Sequence, residues 1–80
     1  MKIGAVSEVK IHSDTINCVN WASIETIVTG SKDHHIKLFD VNKKLETQVL
    51  SLRDSVCSAL DVKNDIIING LENGLIKYLS

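Results

Sequence analysis

Three histidines (His12, His34, His35), the carboxylates near them (Asp14, Asp33) and two thiols (Cys18, Cys57) are the side chains here that could bind a metal or activate a substrate. Adjacent histidines on an extended hairpin point to opposite faces, so His34 and His35 cannot converge on one ion. No cysteine or carboxylate stands at ligand spacing to complete a coordination shell, and there is no Cys-x-x-Cys pair. Both cysteines sit among alternating apolar residues, the setting of small buried hydrophobes, and they read as reduced thiols. Nucleophilic chemistry lacks a Gly-x-Ser-x-Gly elbow, and no two carboxylates occupy distinct buried settings. Nucleotide binding lacks a glycine-rich phosphate loop, because Gly30 and Gly70 each close an apolar segment. The expectation is a non-enzymatic protein with no catalytic residue, cofactor or metal site.

Composition narrows the remaining functions. The chain has 80 residues, 44% hydrophobic and 24% charged, enough for one small folded unit. Nine Lys and Arg against ten Asp and Glu leave a net charge of -1, with no basic excess to neutralise a nucleic-acid backbone. The cations Lys32, Lys37, Lys43, Lys44, Arg53, Lys63 and Lys77 are dispersed among acidic residues, the pattern of a solvated mixed surface. Trp21, Phe39 and Tyr78 fall within apolar segments and read as packing residues, with no base-stacking platform. Apolar runs such as Ile66-Ile67-Ile68 are far shorter than the ~20 residues a membrane helix needs. Met1-Lys2-Ile3-Gly4 does not open a signal peptide, so an intracellular protein, nuclear or cytoplasmic, is expected.

The elements that must position these side chains are short and β-branched. Candidate strands span residues 6–11, 16–22, 26–31, 36–40, 45–50, 56–62, 66–70 and 75–79, separated by polar turns. Glu72-Asn73-Gly74 supplies the positive backbone angles of a tight hairpin. Lys32-Asp33-His34 occupies the matching place upstream, and Asn42-Lys43-Lys44 and Lys63-Asn64-Asp65 are further turns. No window carries a helical apolar stripe of useful length; residues 45–52 come nearest. An all-β fold follows.

A shift of forty residues superposes the sequence on itself without a gap from Asp14 onward. Asp14 falls on Asp54, Ile27 on Ile67, Gly30 on Gly70, Ile36 on Ile76 and Lys37 on Lys77. Ile16 with Val56, Val28 with Ile68 and Asp33 with Asn73 are conservative matches. A period of that length carrying four strands per unit is the period of a propeller blade.

His12, Trp21, Thr29-Gly30-Ser31-Lys32-Asp33 and Ile36-Lys37-Leu38-Phe39-Asp40 resemble a WD repeat, with Phe39-Asp40 at the Trp-Asp ending. The resemblance implies two consecutive four-stranded WD40-type blades of a partial β-propeller. It divides the chain into residues 1–11, outer strand of a preceding blade; 12–50, a first blade; and 51–80, a second blade lacking its last outer strand. It also implies a hydrogen-bonded chain through the first blade: His12, the hairpin Asp33, and Thr29 or Ser31. Phe39 has no indole N–H, so that chain ends one link early. Ile11 stands where the family has glycine, and Leu52, Asn73 and Leu79-Ser80 make the second unit more degenerate.

The two units together are similar to consecutive blades of WD-repeat proteins of the mitotic spindle checkpoint and of nuclear messenger-RNA export. What the resemblance implies is a scaffold docking a short peptide of a protein partner, such as a checkpoint kinase or a nucleoporin. A WD-repeat ribosome-assembly factor and a short repeat chain that oligomerises into a ring are the alternatives. The loops at 12–15, 32–35, 52–55 and 71–74 would form the top face, offering Lys32, His34, Arg53 and Glu72 to a peptide. The family's aromatic before the hairpin aspartate is Lys32 here. Two blades leave open faces and edges, so further blades or other copies are expected to cover them, and an isolated monomer is expected to be unstable or prone to aggregate.

Overall fold

A computed structural model describes residues 4–80. They form seven strands and no helix: β1 (Ile16–Trp21), β2 (Thr26–Ser31), β3 (His35–Asp40), β4 (Leu45–Ser51), β5 (Cys57–Lys63), β6 (Ile66–Leu71) and β7 (Ile76–Leu79). The strands make two antiparallel meanders, β1-β2-β3-β4 and β5-β6-β7. Two blades of the four-stranded type were expected, the second without its last outer strand; the sheets have four and three strands. Residues 6–11 are not a strand either: residues 4–12 have no regular structure, and 4–10 are exposed. A strand requires a ladder partner, and no described strand runs beside this segment. It lies instead over the first sheet, where Val9 lines a hollow with Ile27 and Phe39, and the Lys37 ammonium holds the Ile11 carbonyl. The part of the expected outer strand at residues 1–3 lies outside the described residues. No helix among the described residues is long and apolar enough to cross a membrane.

Turn chemistry sets the register. Lys63 pairs with Ile66 across Asn64 and Asp65, both at positive φ (51° and 65°), the backbone of a two-residue type I′ hairpin. Asp40 ends β3 by accepting from the Asn42 and Lys43 N–H groups at 2.9 and 2.8 Å. In the β2–β3 hairpin the left-handed residue is His34 (φ 72°), and forty residues on, between β6 and β7, it is Gly74 (φ 87°).

Cross-strand partners share a face, so register also says which side chains meet. Val28 pairs with Asn20 and Leu38, and Gly30 with Cys18 and Ile36. This face packs on the second sheet in a core of Val28, Ile36, Leu52, Cys57, Ile67 and Leu71. The sheets touch where β1 and β2 meet β5, joined further by Asn17 Nδ2 to the Cys57 carbonyl and Asn20 Nδ2 to Asp61, each 3.2 Å. Away from that seam they enclose an open cleft of about 610 Å³ lined by Leu38, Leu50, Val62 and Leu79.

The repeat leaves one face uncovered. Val28, Ile36 and Leu38 of the first sheet pack against the second sheet, and their counterparts forty residues on are Ile68, Ile76 and Tyr78. These three are 43, 69 and 75% exposed. An apolar sheet face of this kind promotes self-association. Ile76→Lys with Tyr78→Lys is therefore expected to reduce light scattering of the concentrated protein while changing its urea stability by less than about 0.5 kcal/mol. Unchanged scattering would show that this face is not the sticky one.

Candidate partner-binding face

His12 reaches the outer face of the first sheet, where the register places Thr29 beside Val19 and Lys37. Its ring is buried, with Nδ1 2.8 Å from Asp33 Oδ2 and Nε2 2.6 Å from Thr29 Oγ1. In its neutral form the ring donates Nδ1–H to the carboxylate and accepts the Thr29 hydroxyl proton at Nε2; as an imidazolium it donates from both nitrogens. Asp33 also accepts from the Ser13 N–H at 3.1 Å and the His35 N–H at 3.0 Å. Ser31, completely buried, accepts from the Asp33 N–H at 3.1 Å and donates to the Asp14 carbonyl at 3.2 Å. Of the two hydroxyls assigned to the third role by resemblance, Thr29 bonds His12 and Ser31 braces the hairpin backbone. Phe39 is buried on the same side of the sheet and adds no hydrogen bond.

Burial pushes the Asp33 carboxyl up. Hydrogen bonds from His12 and from the Ser13 and His35 N–H groups, together with the charge of His12, outweigh burial and hold it down at about 2. The second oxygen faces His35 Nδ1 at 3.6 Å.

The network sits at one end of both sheets and organises four loops there. The Lys32 N–H donates to the Thr15 carbonyl at 2.9 Å, fastening residues 12–15 to the β2–β3 hairpin. The Leu52 N–H donates to the His34 carbonyl at 2.7 Å, and His34 Nδ1 lies 2.9 Å from the Ser55 carbonyl. The Glu72 N–H donates to the Val56 carbonyl at 3.0 Å. The loops at 12–15, 32–35, 52–55 and 71–74 therefore form one continuous edge. Lys32, Arg53 and Glu72 are exposed on it. His34 is half-buried and already engaged between two loops, so it serves the face as a strut. Its left-handed backbone is held by that pair of contacts.

Two contributors were not legible in the sequence. Lys37 joins the Ile11 carbonyl to Glu46 (2.8 Å), steering the chain into His12. Ser55 is buried, and its hydroxyl has no partner among the described residues. Lys37 was marked as a repeat match with Lys77 and Ser55 as a loop residue, so neither was marked for this role. Among the described residues no group of three or more His, Cys, Asp or Glu is placed to hold a metal ion.

No protein-family model matches the sequence, and no curated protein matches it. Among solved structures, the fold is similar to the crystal structure of the computationally designed Ika4 protein, with TM-score 0.76 and 25% identity. The likeness covers 85% of this chain and 42% of that one. This chain thus spans about two fifths of that designed protein's length.

The Asp33 shift has a definite sign. Its folded value, about 2, lies below the ordinary 3.8, so its stabilisation is complete above about pH 4 and is lost as the pH falls toward 2. Asp33→Asn is expected to cost about 1–3 kcal/mol at neutral pH, and the gap from the native chain should narrow steadily between pH 4 and pH 2. Urea midpoints at several pH values measure this; parallel profiles for the two chains would contradict it.

Proposed function

We propose that this chain is a pair of adjoining WD-type propeller blades and that it works as a non-enzymatic scaffold, docking a short polar peptide segment of a protein partner on the loop edge. The observation that carries the reading is the His12–Asp33–Thr29 network, which holds the β2–β3 hairpin rigid and leaves Lys32 exposed at its tip. A preordered loop end spends little conformational entropy on binding. The blade reading draws further support from the forty-residue repeat, from the two wedge-like sheets, and from the exposed Ile68, Ile76 and Tyr78 face. A following blade or another copy would cover that face. In this reading residues 12–50 and 51–80 are the two blades, and 1–11 belong with the blade before them.

The edge carries both signs of charge. Lys32 and Arg53 suit partner carboxylates, Glu72 suits a partner lysine or arginine, and the unpartnered Ser55 hydroxyl lies beneath them. The pathway follows from sequence resemblance alone: a peptide of the mitotic checkpoint or of nuclear messenger-RNA export, with a nuclear or cytoplasmic location. An array of acidic, basic and mixed-charge peptides tests the surface. Lys32→Glu with Arg53→Glu is expected to weaken binding of acidic and mixed peptides by about tenfold or more, with no change in thermal unfolding. Affinities unaltered by the double substitution would remove this edge as the docking surface.

A further inference from the structure

The seam between the sheets contains a thiol pair. Cys18 Sγ on β1 and Cys57 Sγ on β5 are 3.4 Å apart. Cys57 is completely buried, Cys18 is half-buried, and both are free. The register puts Gly30 of β2 opposite Cys18. A Cβ at Gly30 would stand 2.8 Å from Cys18 Sγ and 2.9 Å from Cys57 Cβ, so no larger residue fits while the sulfurs are together. Gly70 holds the same place in the second sheet, and a Cβ there would meet only the Ala59 carbonyl at 3.9 Å. At position 30 the thiol pair occupies the space a side chain would need, whereas Gly70 lies on the uncovered face beside Ile76.

We propose that Cys18 and Cys57 are a site of reversible oxidation, closing into a disulfide that joins the first sheet to the second, with glutathione disulfide as the oxidant. Cys18 is the entry point because it reaches solvent. Its thiol loses a proton and attacks one sulfur of glutathione disulfide; that S–S bond breaks, and the departing glutathione thiolate takes up a proton. Cys57 then gives up its proton and attacks Cys18 Sγ. The bond between Cys18 and glutathione breaks, and the second glutathione leaves as a thiol. Two protein thiols are oxidised, and one glutathione disulfide is reduced to two thiols. Burial, reinforced by the hydrogen bond and charge of Cys18, pushes the Cys57 thiol up to about 12 despite an opposing backbone hydrogen bond from Ala59. Burial of Cys57 persists in the mixed disulfide, so the closing step quickens in alkaline buffer.

The test compares folded and unfolded chains, because two cysteines in one chain can also pair by chance. The full chain is equilibrated in glutathione/glutathione disulfide buffers with and without urea, quenched, and mapped by peptide mass analysis. The proposal expects a Cys18–Cys57 peptide within one chain, reversed by excess glutathione. Its formation constant should be about tenfold or more larger in the folded chain, since the fold holds the sulfurs together. Equal or smaller constants in native buffer would overturn it, as would glutathione left on Cys18 as the folded chain's end product. Gly30→Ala, which drives a methyl between the sulfurs, should bring the native constant down toward the urea value. The unsubstituted comparison stands without it if that variant does not fold.

Discussion

Neither sheet has an interior of its own, and everything else depends on the seam where one leans on the other. Val28 and Ile36 from the first sheet and Ile67 and Leu71 from the second are buried because they face one another, with Cys57 between them. A lone three- or four-stranded meander would present such residues to water, and burial of apolar area is the dominant force available to a chain this small. The seam is narrow: it runs along β1, β2 and β5, and the sheets part beyond it. That geometry explains how the same chain can hold a well-packed centre and still expose Ile68, Ile76 and Tyr78 on its far side.

Polar groups then order what the apolar seam leaves loose. The first sheet's outer face would be another open surface were it not crossed by residues 4–12, with Lys37 gripping Ile11 and His12 descending onto Thr29. A buried imidazole is costly unless both nitrogens are paired, and both are: one to Asp33, the other to the hydroxyl. Asp33 in turn accepts from the Ser13 N–H and, within its own hairpin, from the His35 N–H, so one carboxylate ties residues 12–13 to the β2–β3 hairpin. His34 extends the brace to the second sheet through Leu52 and Ser55. The loop edge is thereby coupled to the seam, and a peptide docking there would meet a surface shaped in advance.

Much of this was legible beforehand where local chemistry speaks for itself. Residues 26–31 read as a strand and are β2 with the same ends, because their β-branched run is closed by Gly30-Ser31 before a polar turn. Asn64-Asp65 and Asn73-Gly74 marked hairpins because their types tolerate positive φ. The site residues His12, Thr29, Ser31 and Asp33 were singled out by the resemblance to a WD repeat, and the folded hairpin brings all four together. Less legible was the segment 6–11, whose alternation suits a strand although none of the described strands lies beside it. Equally hidden was the role of His34, whose exposure was overestimated because nothing local announces that Ser55, far along the chain, supplies its partner.

The sequence alone determined the alternation of strands and turns, the period that repeats them, and which residue types could satisfy a buried imidazole. The strands and turns are short-range matters, settled by backbone sterics and neighbouring side chains, whereas the imidazole's partners, 17 and 21 residues away, came from the resemblance to a WD repeat. Only the tertiary structure decided which of two apolar faces would be covered, how many strands each sheet would keep, and that Cys18 and Cys57 would meet over Gly30. Such outcomes depend on contacts between distant segments, where a face is buried only if another surface arrives to cover it. No residue's own chemistry fixes that arrival.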